Sequence, residues 1–326
     1  MEKVTARAHS NVAFIKYWGR KNEELRLPTN GSISMNLSNL FTTTTVEFSP
    51  GFTSDEIFLN GEKNELINNR IIQHLDRVRK LKGSSLMAKV VSQNNFPTST
   101  GLSSSASGFA ALTLASTKAI GLNLSERELS ILARQGSGSA CRSIPDGFVE
   151  WENGETSETS FAKTLFPAEY WDIVDIVAVV SKDKKDIATS EGQRRVDSSI
   201  FFKTRLQAID NKIKLCKKYL EEKDFNSFGK LIEMEALELH AIMITSWPAL
   251  LYWIPATITV MKAVQQWRRE GLPVFFTINT GQDVHILCQK KDENELQKKI
   301  QGLGIATKII TNNSSKGTYL YDAHLF

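Results

Sequence analysis

Cysteine is scarce: the 326 residues hold three, Cys141, Cys216 and Cys288. They lie more than 70 residues apart with no C-x-x-C pair, which argues against both a disulfide framework and a structural zinc site. Long hydrophobic runs are also missing. The greasiest helical candidate, residues 106–122, is broken by Ser, Thr and Lys, well short of the roughly 20 apolar residues that a membrane span needs. The first eleven residues (MEKVTARAHSN) are polar and mixed in charge, unlike the basic and apolar segments of a secretory signal. Neither sign of charge dominates: 40 Lys and Arg face 36 Asp and Glu, and acids are interleaved with bases throughout. Without a basic stripe, nucleic acid is a poor partner. There is no internal repeat and no low-complexity linker. What remains has 41% hydrophobic and 23% charged residues, the balance of a folded globular chain. The expectation is a soluble, cytoplasmic protein of one large or two smaller domains.

The first half mixes strands and helices. Residues 6–18 and 42–48 (TTTTVEF) are rich in β-branched and aromatic side chains and read as strands. Residues 66–82 carry Ile67, Ile71, Leu75 and Val78 at helical spacing before Gly83. A strand at 87–91, a loop at 94–105 and a small-residue helix at 106–120 follow. A further helix at 124–136 has Ser125 and Glu128 in capping-box spacing. The apolar run 173–181 (IVDIVAVVS) predicts a buried strand that closes the first half. Helical patterns then dominate at 198–222, 225–243 and 255–270, the last with Pro255 at its start and Gly271 past its end. Strands at 274–278 and 284–289 flank a loop at 279–283. The class is α+β, divided into a strand-rich lobe (1–182) and a helix-rich lobe (183–326).

Three clusters carry candidate chemistry. In Pro97-Thr-Ser-Thr-Gly-Leu-Ser-Ser-Ser-Ala-Ser107, Gly101 relieves a turn and Ser103, Ser104 and Ser105 crowd a helix start, where free N–H groups suit an anion. On composition alone, an N-cap in a serine-rich loop is the commoner explanation. The loop is neither a Walker A sequence nor a G-x-G-x-x-G fingerprint. Gly136-Ser-Gly-Ser-Ala-Cys-Arg-Ser143 combines three hydroxyls with Arg142, a donor fork for carboxylate or phosphate; a tight loop with a surface arginine explains it equally well. In Asn11-Val-Ala-Phe-Ile-Lys-Tyr-Trp-Gly-Arg-Lys21, Lys16, Arg20 and Lys21 beside aromatics suit an anion pocket, although solvated lysines on a strand edge are commoner. His240 and His285 have no metal-ligand spacing and read as packed or surface residues. Trp247, Trp253 and Trp267 read as core or lobe-interface residues, and Cys141 as a thiol open to alkylation.

In this order, the clusters resemble one family over nearly the whole chain. NVAFIKYWG, the P-x-x-x-G-L-x-S-S-A-S loop, GSGSACRS and Leu239-His-Ala241 are similar to the mevalonate diphosphate decarboxylases, members of the small-molecule (GHMP-type) kinase superfamily of galactokinase, homoserine kinase and mevalonate kinase. The resemblance implies a two-lobed α+β fold with its site in the cleft. It also implies ATP- and magnesium-dependent conversion of mevalonate 5-diphosphate to isopentenyl diphosphate, ADP, phosphate and CO2. Relatives are often homodimers, so a homodimer is among the expectations, although the sequence displays no dimer surface.

Carried over by position, Pro97, Gly101, Ser103, Ser104, Ser105 and Ser107 would form the ATP loop, with Ser105 also on the metal. Lys16, Tyr17, Ser137, Ser139 and Arg142 would hold the substrate, Arg142 on its carboxylate side. Thr189 would contact the phosphate end, Arg70 would match a phosphate-binding arginine, and Arg20 replaces the lysine of many members.

One position departs from the family. Its D-A-G-P-N loop supplies the Asp cast as the base for the 3-hydroxyl proton, whereas this chain reads Asn279-Thr-Gly-Gln-Asp283. A carboxamide accepts no proton at neutral pH, so residue 279 does not supply general-base catalysis, worth about 10²- to 10⁴-fold. Three accounts follow. Activity persists through Asp283, or through a phosphate oxygen that takes the proton late; the substrate has changed, giving a mevalonate 5-phosphate decarboxylase or a mevalonate 3-kinase; or the chain binds without turnover. The first is favoured, because the other anion-binding positions are nearly complete.

Overall fold

The computed structural model describes residues 2–63, 65–96, 101–181, 183 and 187–326, the side chains of 65–67 excepted. Pro97 of the expected ATP loop lies outside the described residues. The chain runs through β1 (Val4–Ile15), β2 (Arg20–Asn22), β3 (Leu27–Pro28), β4 (Ser32–Ser49), β5 (Glu56–Leu59), α1 (Glu65–Lys82), β6 (Met87–Asn94), α2 (Ser104–Ala119) and α3 (Glu126–Gly136). A 3-10 turn, Gly138–Ser143, leads to β7 (Phe148–Trp151), β8 (Ala162–Phe166) and β9 (Ile173–Val179). The remainder comprises α4 (Thr189–Gln193), α5 (Phe202–Glu222), α6 (Phe225–Thr245), α7 (Pro255–Arg269), β10 (Phe275–Thr277), β11 (Val284–Gln289), α8 (Glu293–Gly302), β12 (Lys308–Asn313) and β13 (Thr318–Leu320).

Two sheets organise these elements. The seven-stranded sheet is ordered β13-β1-β4-β6-β5, with β7 on the early part of β4 and β8 on β7. Its centre is the long β1–β4 antiparallel pair, whose register shifts between His9 and Asn11 and between Ala13 and Ile15. Such irregularities bend strands and re-aim side chains. One face packs on α1, α2 and α3 through Val46, Phe48, Leu75, Phe109 and Leu132. The small residues of α2 let it lie deep in this layer, with most of its side chains buried. The second sheet is ordered β10-β11-β9-β12 and packs on α7 and α8 through Val264, Trp267, Leu296 and Ile300. A third cluster, including Phe14, Phe148, Phe228 and Phe275, joins both sheets to α5 and α6.

Several boundaries differ from the sequence expectation. β9 does not close the first half: it is an interior strand of the second sheet, paired with β11 and β12. Its all-buried run identifies a central strand, but its partners lie more than a hundred residues downstream. β4 begins ten residues before the expected strand, and two of its polar side chains find buried partners there: Asn36 Nδ2 donates to Pro145 O (2.7 Å) and Ser32 accepts from Arg142 (2.7 Å). β8, β12, β13 and α8 were not expected. The capping box at Ser125 and Glu128 is present. Among the described residues, no helix is long and apolar enough to cross a membrane.

Candidate active site

Between the two sheets lies a cavity of about 390 Å³ lined by residues of both halves of the chain. α2 points its N-terminus at it, and Ser103, Ser104 and Ser105 line its wall. Ser103 stands in left-handed backbone (φ 58°) and makes no side-chain cap bond. For a residue with a Cβ this conformation costs about 1–3 kcal/mol and marks sites where geometry serves function. The first N–H groups of α2 therefore meet no capping side chain, the arrangement of an anion site.

The opposite wall begins where β1 leaves the sheet. Lys16 N–H donates to Glu235 Oε1 (3.1 Å), and Lys16 O accepts from Arg205 Nη2 (2.8 Å) and Asn30 Nδ2 (2.9 Å). These buried partners end the strand at Ile15 rather than at Trp18. The Lys16 ammonium donates to Ala13 O (2.6 Å), Thr277 Oγ1 (2.7 Å) and Asn279 Oδ1 (3.3 Å), and 1% of the residue is exposed. Among the described residues, no carboxylate touches Nζ. Burial lowers its pKa, Glu235 raises it only in part, and Arg142 and Arg205 lower it further, leaving it at about 7. Burial alone would raise the Glu235 carboxyl, but Arg205 and Lys212 outweigh it and hold the group below its ordinary value.

Four guanidinium groups complete the lining: Arg20, Arg26, Arg70 and Arg142. Arg142 is buried, donating to Ser32 Oγ (2.7 Å) and Asn11 Oδ1 (3.2 Å), while its Nε has no partner. Arg20 Nε donates to Tyr17 Oη (2.7 Å) and its Nη1 pairs with Glu23 (2.7 Å). Arg70 Nη2 donates to Gly136 O (3.1 Å) and its Nε is also unpartnered. Arg26, in left-handed backbone (φ 51°), donates from Nε to Gln135 O (3.0 Å). Burial first, then repulsion from Arg20 and Arg70, lowers its pKa to about 10. Orphaned buried donors and mutually repelling cations are the groups that a polyanionic ligand satisfies.

Among the described residues, no Asp or Glu lines the cavity. Lys16, Tyr17, Arg20, Arg70, Gly101, Ser103, Ser104, Ser105, Ser137, Ser139, Arg142, Thr189 and Asn279 all do. Thr189 lies against Thr280, their hydroxyls 2.8 Å apart, and Ser137 Oγ lies 3.3 Å from Ser105 Oγ.

Three expected placements fail. Asp283, offered as the compensating base, sits immediately before β11, 2% exposed, and its Oδ1 accepts from Val180 N–H (3.0 Å); it anchors the second sheet and does not line the cavity. Ser107 is buried one turn into α2, its hydroxyl bonded to Thr42 Oγ1 (2.7 Å), so it braces helix against sheet. Lys21 points outward to Glu155 (2.9 Å). Cys141 is fully buried, its thiol pushed up to about 12 chiefly by burial, so it is not a reactive thiol. Trp247 is 81% exposed rather than core. His240 is packed as expected, but it also supports the site: its Nε2 meets Asn279 O at 2.9 Å and its ring stacks on Trp253.

Sequence reasoning missed Arg26, Ser190, Gln193 and Thr280 in the lining, and the Glu235–Arg205–Lys212 network beneath Lys16. Arg26 follows two glutamates in a charged turn and carries no local signal. Gly101 (φ 113°) is where the α2 loop meets the 279–283 loop: a Cβ there would lie 2.9 Å from Gly281 Cα.

An α+β fold in two sheets, with a serine-bearing helix N-terminus and a cationic wall meeting in the cleft, defines the class: a small-molecule kinase of the GHMP superfamily. More narrowly, residues 8–162 match the diphosphomevalonate decarboxylase-like N-terminal domain and residues 175–320 the mevalonate 5-diphosphate decarboxylase C-terminal domain, so the chain belongs to the diphosphomevalonate decarboxylase family. It is 35% identical over 314 residues to the diphosphomevalonate decarboxylase of Candida albicans, covering 91% of this chain and 87% of that one. Among solved structures, it is similar to MDDEF in complex with MVAPP, AMPPCP and magnesium (37% identity, TM-score 0.93, 98% of this chain and 99% of that one). It is also similar to the mevalonate diphosphate decarboxylase from Enterococcus faecalis, in a structure concerned with mevalonate diphosphate-mediated ATP binding (36%, TM-score 0.92, 98% and 99%).

Proposed function

We infer that this chain uses ATP to decarboxylate mevalonate 5-diphosphate, forming isopentenyl diphosphate, ADP, phosphate and CO2, as a cytoplasmic, homodimeric enzyme of two lobes, the second beginning at β9 and the first closed by β13 rather than the two dividing at residue 182. The observation that carries the reading is the cavity with five basic side chains, four of them permanently cationic arginines, and no carboxylate among its described lining residues. Such a wall repels a cationic ligand, gains nothing from a neutral one and fits one with several negative charges. The arginine fork matches phosphate and carboxylate oxygens.

Ser103, Ser104 and Ser105, with the N-terminal N–H groups of α2, receive the ATP phosphates. Magnesium would be held here by the Ser105 hydroxyl, a hard oxygen, together with the ATP phosphates; no Asp or Glu stands among the described lining residues to add the carboxylate that magnesium sites commonly carry. When bound, it neutralises charge on the transferring phosphoryl group. Tyr17, Ser137, Ser139 and Arg142 orient the substrate, with Arg142 at its carboxylate. Arg20, Arg26, Arg70 and Thr189 take its 5-diphosphate. Holding the 3-hydroxyl in line with the γ-phosphorus makes the transfer effectively unimolecular. After transfer, departure of the tertiary phosphate leaves positive character at C3, and a dry pocket that holds the carboxylate in line favours loss of CO2.

The test incubates the enzyme with ATP, magnesium and, separately, mevalonate, its 5-phosphate and its 5-diphosphate. The expected result is equimolar ADP and CO2 from the 5-diphosphate. ADP without CO2 would make the chain a 3-kinase, CO2 only from the 5-phosphate would change the substrate, and neither product from any of them would make it a binding protein. The mutually repelling arginines favour two phosphates over one. Arg26→Ala is therefore expected to raise KM for the 5-diphosphate about tenfold, the loss of one charge-assisted bond, with kcat less affected; an unchanged KM in steady-state assays would remove Arg26 from the diphosphate site.

A further inference from the structure

We propose that Lys16 takes the proton from the substrate's tertiary hydroxyl as that oxygen attacks the γ-phosphorus of ATP, serving as the general base in a site where Asn279 stands in the place of the family's Asp. The proposal rests on the decarboxylase reading above and deepens it by assigning the proton.

Elimination supplies the first argument. The described residues lining the cavity are apolar residues and glycines, serines and threonines, Asn279, Gln193, Tyr17, four arginines and Lys16. Hydroxyls and carboxamides accept no proton near neutrality, and arginine gives none up. Burial raises the Tyr17 phenol above its usual range, and Tyr17 Oη accepts from Arg20. His240 and Asp283 are outside the lining; His240 is engaged with Asn279 O and Asp283 with Val180 N–H. Among the described residues, Lys16 alone has a conjugate base within reach.

Geometry supplies the second. Nζ lies 3.3 Å from Asn279 Oδ1, within hydrogen-bond range of the position where the family's carboxylate oxygen would stand. Its two short bonds, to Ala13 O and Thr277 Oγ1, accommodate the two N–H groups of a neutral amine. The third direction is held only by the long contact to Asn279 Oδ1 in the cavity wall, and a substrate hydroxyl that replaces this contact would meet the lone pair of the neutral amine. The charges around the amine come from every packed element: Glu235 on α6 and Asp175 on β9 raise its pKa, while Arg142 of the 3-10 turn and Arg205 on α5 lower it. Glu235 is already engaged by Arg205 and Lys212. His240, on α6, is held neutral by burial, its pKa lowered to about 3. With burial dominant, the amine titrates at about 7, where a general base is most effective. A carboxylate at 279 would raise that value and keep Lys16 an ammonium; the carboxamide does not.

The step balances. The hydroxyl proton passes to the Nζ lone pair, an O–P bond forms to the γ-phosphorus, the bond from that phosphorus to the bridging oxygen breaks, and ADP leaves with the electron pair. The resulting ammonium loses its proton to water before the next turnover.

The experiment measures kcat/KM for ADP release with mevalonate 5-diphosphate across pH for wild type, Lys16→Arg, Asn279→Asp and the double variant. Wild-type kcat/KM should rise with pH through a limb near 7 and level above it. Lys16→Arg keeps the charge but cannot act as a base, and should lose at least about 10²-fold. Asn279→Asp restores a carboxylate base, so its acidic limb should move below that of wild type, and in the double variant it should recover at least about tenfold of the loss. If Lys16→Arg retains activity within about fivefold, or if Asn279→Asp leaves the limb where it was, the proposal fails; the second readout keeps Lys16 and does not depend on the arginine being accommodated. A wild-type profile without a limb near 7 would instead assign the proton to a phosphate oxygen. Absence of ADP with wild type at every pH overturns the decarboxylase reading itself, a failure distinct from a misassigned base in an active enzyme.

Discussion

Arg142→Ala is expected to lower kcat/KM for mevalonate 5-diphosphate by about 10³-fold, the upper range for removing one preorganised donor from a water-excluded site, while ATP affinity stays within about twofold because no contact made only by nucleotide is lost. The guanidinium is 3% exposed, and its two bonded nitrogens meet neutral partners, Ser32 Oγ and Asn11 Oδ1. Burial lowers its pKa, but arginine remains cationic in proteins, so a full positive charge waits with no acid among its described partners. Its free Nε is a further donor for a bound carboxylate. The proposed nucleotide contacts lie elsewhere, at Ser103–Ser105 on α2, which explains the asymmetry between substrate and ATP. Steady-state kinetics and calorimetric titration with ATP check both halves. A comparable loss of nucleotide affinity would contradict the assigned role, and a melting curve separates that outcome from unfolding, since truncation strands Ser32 and Asn11 in the core.

The parts legible in the sequence were those whose signal is local. The capping box of α3, the Pro and Gly that bracket α7, and the glycine- and serine-rich loops depend on residues a few positions apart, and the structure shows the caps and brings those loops into one cavity. Non-local decisions were not legible. β9 reads as a buried strand from composition, yet its sheet is decided by pairing with Cys288, Ile286 and Thr311. β1 was expected to run through Trp18, but Glu235 and Arg205, more than 180 residues away, capture the backbone of Lys16. Glu235 itself looks like one acid among several on an amphipathic helix, and only packing shows it fully buried between two cations. Asp283 illustrates the limit most sharply. Four positions from Asn279 in sequence, it faces a different layer because the chain turns between them, and immediately before β11 its carboxylate accepts from Val180 N–H at the end of the neighbouring β9.

That turn also underlies the second large effect. Gly101→Ala is expected to lower kcat by about 10²-fold, the order that a misplacement of about 1 Å costs a reaction dependent on alignment. Gly101 has φ 113°, and an added Cβ would meet Gly281 Cα at 2.9 Å and Gly281 N at 3.2 Å. Both obstacles are backbone, so no rotamer change relieves the contact; the α2 loop and the 279–283 loop must separate. Their separation pulls on one chain of contacts, Ser103 Oγ to Asn279 Nδ2 (3.3 Å) and Asn279 Oδ1 to Lys16 Nζ (3.3 Å), which sets the proposed phosphate site against the proposed base. The bonds of Arg142 go to Ser32 and Asn11 and that of Arg70 to Gly136, none of them in these two loops, so KM for mevalonate 5-diphosphate should change less than kcat. Gly108, also at the start of α2, is the control: a Cβ there has nothing within 4 Å, and Gly108→Ala should keep full turnover while stabilising the helix by up to about 1 kcal/mol. Thermal melts and single-turnover ADP release on the two variants separate loop displacement from general instability. Gly101→Ala turning over within about threefold of wild type would show that the two loops are not held in register by their close approach.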